Sequence, residues 1–242
     1  MRFFLVSILL LGSVSAYSFS RPDSTKSRLA VSGSFSINSN GIASIPAFSL
    51  GKPALIGSFT LQKNRFSYDP VIAYGLNMRP WIIDNWLHYR LIYTPKFELR
   101  TGVDFAMFFS NIDSSDYTIL QGQQYITAEI AAIIKFTPKN SLSAMYWSDN
   151  GQDHGTIKGH FFNIMYDQTD IEIGRSVLLA LNVQVFYLDY TGENDGLFVS
   201  PKLASSVRKV PLSLFFQATQ PVTSNVEPWP GFKWNIGLGY LF

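Results

Sequence analysis

The chain of 242 residues contains no cysteine. Disulfides, thiolate metal sites, thiol catalysis and a lipid-bearing cysteine at a processed N-terminus are therefore excluded. Charge is scarce too. Asp, Glu, Lys and Arg make up 15% of the residues and nearly cancel, leaving a formal +2, so no basic surface argues for nucleic acid. Histidine occurs only as His88, His154 and His160. No later apolar run could form a spanning helix. The longest, Val177 to Tyr187, is broken by Asn182 and Gln184 and falls short of the roughly 20 residues required. Neither a repeat nor a low-complexity tract is present.

What the chain does have is aromatic residues, 15% of the total, within a hydrophobic content of 47%. It also has alternation. Phe97, Leu99, Thr101, Val103, Phe105, Met107 and Phe109 alternate with Glu98, Arg100, Gly102, Asp104 and Ala106. Side chains of a strand point to opposite faces with period two, so one face is apolar and the other charged. Leu29, Val31, Phe35 and Ile37 alternate with small polar residues in the same way, as do Leu55, Gly57, Phe59 and Leu61. A membrane barrel shows this pattern with its apolar face on lipid. A soluble sandwich shows it with the apolar face inward.

Turn positions separate the two. A turn at Lys63-Asn64 pairs Leu61 with Phe66 and Phe59 with Tyr68. One at Thr94-Pro95-Lys96 pairs Leu91 with Leu99 and Leu87 with Val103. One at Pro138-Lys139-Asn140 pairs Phe136 with Leu142 and Ile134 with Ala144. Each keeps the apolar faces together, as register demands. The alternate connections, 38–53, 77–84, 110–122, 148–156 and 220–230, are longer. Short turns at one rim and long loops at the other belong to outer-membrane barrels. The expected fold is all-β, a transmembrane antiparallel up-and-down barrel of about twelve strands, with ten as the fallback. An even number puts both termini on the periplasmic side. Three stretches fit the pattern poorly: Arg175 falls among apolar neighbours, 195–210 is weakly patterned, and 40–51 reads as a loop folded into the barrel mouth.

The ends of the chain agree. Arg2, the apolar run Phe3 to Leu11 and the exit Gly12-Ser13-Val14-Ser15-Ala16 describe a secretory signal peptide. The expected division is a signal peptide over 1–16, a periplasmic leader over 17–27 and the barrel over 28–242. At the other end, Trp234, Ile236, Leu238, Tyr240 and Phe242 share one face of the last strand. This stripe resembles the closing strand of Gram-negative outer-membrane barrels, whose terminal Phe and alternate apolar positions mark them for assembly. The resemblance implies residence in the outer membrane, among its lipids, after handling by the barrel-assembly machinery. Ile45 to Pro53, with Pro80-Trp81 and Trp86-Leu87-His88-Tyr89-Arg90, resembles segments of uncharacterised Bacteroidota outer-membrane proteins. That likeness implies a barrel working beside larger outer-membrane assemblies.

The candidate site is the polar face. His88, Arg90, Glu98, Arg100, Asp104, Glu129 and Lys135 fall on lumen-facing positions, with Arg90 opposite Arg100 and Glu98 diagonal to Arg90. Such charges either pair and plug a narrow barrel or form a constriction that sets selectivity. No nucleophile–base signature is legible. Outer-membrane phospholipases and lipid A deacylases pair a Ser with a His on the lipid side, and no His-x-Ser motif occurs. The loop Ser148 to Gly155 offers Asp149, Asn150 and Asp153 to a hard cation, without the spacing of an EF-hand. No metal and no cofactor are expected. The sequence thus predicts a barrel without enzymatic activity, a narrow channel or an accessory subunit bound to other outer-membrane proteins. A lipid-modifying hydrolase is the alternative.

Overall fold

The computed structural model describes residues 28–43, 48–113, 118–156, 158–191, 194–226 and 231–242. The expected signal peptide and leader lie outside these residues. Among them, twelve antiparallel strands close into a barrel. They are β1 Ala30–Asn38, β2 Ala54–Lys63, β3 Phe66–Gly75, β4 Pro80–Tyr93, β5 Phe97–Asp113 and β6 Thr118–Thr137, then β7 Asn140–Gly151, β8 Lys158–Ile173, β9 Val177–Tyr190, β10 Asn194–Val207, β11 Leu212–Ser224 and β12 Lys233–Leu241. Every strand pairs with its neighbours in sequence, and β1 closes on β12.

Closure forces each strand to choose which face turns inward. Trp234, Ile236, Leu238 and Tyr240 are 43–48% exposed, whereas Asn235 between them is 2% exposed. On β5, Phe105 is 51% exposed while Glu98 and Asp104 are 5% and 3%. The apolar face looks out and the charged face looks in. That is the membrane-barrel orientation, the inverse of a soluble sandwich. Among the described residues no helix is long and apolar enough to cross a membrane; the strands do the crossing.

Register departs from the sequence reading in measured ways. Leu61 pairs with Tyr68 rather than Phe66, and Ile134 with Leu142 rather than Ala144. Both slips are by two residues, so every side chain keeps its face. The first follows from a turn at Asn64-Arg65, where Asn64 takes a φ of 56°. Asn tolerates that left-handed conformation better than most residues. The second follows from a tight turn at 138–139, where the Thr137 hydroxyl accepts from the backbone N–H groups of Lys139 and Asn140. Between β4 and β5, Leu87 pairs with Val103 and Arg90 with Arg100 as expected, and a bulge then shifts the register toward the turn.

The short turns 64–65, 94–96, 138–139, 174–176 and 208–211 share one rim. Arg175 lies in one of them, beyond the apolar band. At the opposite rim, the connections expected over 77–84 and 110–122 are shorter than the sequence suggested. β4 begins at Pro80, and β5 and β6 stay paired up to Asp113 and Thr118. β6 has 20 residues, about twice the 9–11 that cross a bilayer, so its polar upper half rises above the membrane band. The weakly patterned stretch 195–210 is mostly strand β10, with Ser200 and Lys202 turned inward.

Candidate functional site in the barrel lumen

The seven charged residues expected in the lumen lie on β4, β5 and β6, and three rows of contacts tie them to the wall. Nearest the short turns, Glu98 sits between two cations, with Arg90 Nε at 3.3 Å and Lys135 Nζ at 3.3 Å. Both cations also lie over the Tyr93 ring, at 4.6 and 5.2 Å, and Arg90 donates to Gln62 Oε1 at 3.0 Å. Arg90 and Arg100 stand opposite each other. Each takes a different carboxylate, which relieves the like-charge pairing.

The middle row centres on Glu129, 4% exposed. It accepts from Arg100 Nε at 2.9 Å and from Trp147 Nε1 at 2.8 Å. His88 Nδ1 lies 2.7 Å from Asp69, and its Nε2 is 3.4 Å from Glu129 without forming a hydrogen bond. The His88 ring stacks on Trp86 with centroids 5.2 Å apart, and Trp86 packs on Trp147. Such a network satisfies buried charge within a low-dielectric interior. The third row is acidic. Asp104 accepts from the backbone N–H of Asn85 at 2.7 Å, and Asp149 accepts from Thr127 at 2.7 Å.

The mouth is partly filled. In the described part of the connection between β1 and β2, Ile42, Ala43 and Phe48 turn into the lumen, as the sequence suggested for 40–51. Phe48 stacks near Phe108 and Tyr125, at 4.6 and 5.2 Å, and its carbonyl accepts from Trp81 Nε1 at 2.7 Å. Trp81 reaches the lumen because a bulge on β4 gives the wall an extra residue there. Below this roof the opposite wall is different in kind. β1, β2 and β8 to β12 enclose a cavity of about 630 Å3. Its lining mixes the neutral polar Ser36, Asn182, Gln184, Ser200 and Gln217 with Asp167 and with apolar side chains such as Phe186 and Leu181. Lys202 lies there with its Nζ 4.2 Å from the centre of the Phe215 ring.

Asp69, Asp84 and Trp147 belong to this interior and were missed as site residues. Parity was the available signal for Asp69, which alternates with apolar Tyr68 and Ile72. Asp84 was hidden because the connection was expected to run through it. Asp149, read as a loop residue, lies on β7 and faces the lumen. Asp153 instead accepts from the backbone N–H of Gln124 at 2.6 Å. Among the described residues no group of three acidic or imidazole side chains is placed to hold a metal.

Solved structures share this architecture. The KdgM porin is 10% identical and superposes with a TM-score of 0.58 over 87% of this chain and 99% of its own. The NanC porin, also 10% identical, gives 0.50 over 87% and 99%. An outer membrane channel from Pseudomonas putida F1, again 10% identical, gives 0.52 over 92% and 100%. At such identities the likeness is one of fold, and the fold is the closed porin-like barrel. No protein-family model and no curated protein sequence matches the chain. The likeness to Bacteroidota proteins therefore rests on its own residues.

Proposed function

We propose that this chain is a non-enzymatic outer-membrane barrel whose lumen conducts small polar solutes as a narrow channel. The division of the lumen carries the reading. The ion pairs of Arg90, Arg100 and Lys135 line one wall, and beside it runs a cavity of about 630 Å3 in which Asp167 and Lys202 are the charged side chains among polar and apolar ones. A plugged barrel would cross-link its charges through the whole interior. Here the ion pairs stay along one side, leaving open space along the other. A twelve-stranded barrel also lies between the filled eight-stranded size and the open porins. Both termini face the periplasm in this reading, the signal peptide is cleaved, and outer-membrane lipids cover the apolar belt. Purified protein in planar bilayers tests it. Discrete, small conductance steps are expected; electrically silent insertion would overturn the channel in favour of an accessory subunit.

One observation favours a second reading. Register places Ser148, His160 and Asp189 side by side on the outer face of β7, β8 and β9. A lipid hydrolase would need such a row. No hydrogen bond joins Ser148 to His160, however. His160 Nδ1 is instead engaged by Tyr146 Oη at 2.8 Å, so the channel ranks first. Ester cleavage of phospholipid or lipid A that disappears in His160→Ala would reverse this order.

A further inference from the structure

Between the middle charge row and the Phe48 roof lies a second cavity, of about 260 Å3. Asp84, Asp104 and Asp149 face it from β4, β5 and β7. Asp104 and Asp149 flank Thr127 in the register. Asp104 is only 3% exposed. Asp84 makes no hydrogen bond and no ion pair among the described residues. Among the described residues no Lys, Arg or His lines the cavity. Glu98 and Glu129 hold cations elsewhere in this lumen, whereas these three carboxylates share a cavity with no described cation.

Aromatic rings share the rest of the lining with aliphatic side chains such as Ile56, Ile82 and Met107. Trp86 and Trp147 stand 5.2 Å apart, and Phe48 lies 5.2 Å from Tyr125. Aromatic faces attract cations through their quadrupole, most strongly where water is excluded. Asp104 and Asp149 each accept one hydrogen bond, but Asp84 has no partner, and a carboxylate so placed is costly. An incoming cation would remove that cost, and the rings select its kind. A bare divalent ion seeks six or more oxygen ligands, which this largely apolar lining does not provide. We propose that the cavity binds a small organic ammonium ion, its charge held between Asp84 and Asp104 and its alkyl groups against Trp86 and Trp147. The site goes beyond the channel reading and does not depend on conduction.

The test is a titration of the full-length protein in detergent, read by tryptophan fluorescence and calorimetry. Choline is compared with 3,3-dimethylbutanol, its neutral isostere. Saturable binding of choline is expected, weakened by about tenfold or more in the alcohol, in Asp84→Asn and in Asp104→Asn. Asp170→Asn, near the far rim, should bind as the parent does. Equal binding of choline and the alcohol would overturn the proposal, leaving only an apolar void. Absence of saturation would overturn it too, meaning that protons neutralise the carboxylates. Choline against its isostere needs no variant, so a misfolded substitution does not obscure the answer. No current is measured, so failure here and failure of the channel are separate results.

Discussion

Glu98 holds two cations at once. It is 5% exposed, and Arg90 and Lys135 reach it from neighbouring strands at 3.3 Å each. Removing it leaves two positive groups facing each other and Arg100. We expect Glu98→Ala to cost about 2–3 kcal/mol, below the 3–5 of a fully buried pair because both cations stay partly wet. A heat-modifiable gel shift and thermal melting check this, and an unchanged melting temperature would contradict it. The position of Glu98 opposite an apolar face was legible from parity alone, as were those of Arg90, Arg100 and Glu129. Their partners were not. That His88 would settle between Asp69 and Glu129 depends on side-chain reach across three strands, which alternation does not encode.

Among the strand pairs, the closing seam between β1 and β12 rests on the final residue. The Phe242 backbone N–H donates to Gly33 at 3.1 Å, and its carbonyl accepts from Gly33 at 3.0 Å. The ring lies against Phe35 and Phe59, with centroids 5.8 and 5.9 Å away. A Cβ on Gly33 would stand 2.6 Å from that ring, so glycine lets the terminal aromatic seat. Deleting Phe242 removes two hydrogen bonds, about 1 kcal/mol each, together with the aromatic contacts. The seam shortens where the barrel must close. Outer-membrane levels of the deletion, compared by fractionation, should fall severalfold; parental levels would show that the seam closes without it. The hairpins show a different limit of the sequence. Apolar matching fixes which faces lie together but is satisfied equally by registers two residues apart. Asn64 and Thr137 made the choice through turn geometry.

For the whole molecule, the decisive feature is that described residues of the β1–β2 connection stand in the mouth. Phe48 is its anchor, packed against Phe108 and Tyr125 and joined through its carbonyl to Trp81. In the channel reading this loop limits flow. Phe48→Gly should raise single-channel conductance while the barrel keeps its heat-modifiable gel shift, because the loop adds no strand pairing. Unchanged conductance would locate the narrowest point lower, at the Arg90–Glu98 row. The inward loop was suggested by its lack of strand pattern. Its contacts were not, since they join residues far apart in sequence.

The sequence by itself determined the barrel class, a count of about twelve strands, and the faces of the strands with clear alternation. Those properties follow from period-two alternation, short turns and the absence of any long apolar run, all of them local. Tertiary structure decided which charges pair, that one wall is filled while the other stays open, and that three aspartates share a cavity with no described cation beside them. Those outcomes depend on how a closed wall brings distant strands within side-chain reach, and no local pattern records that distance.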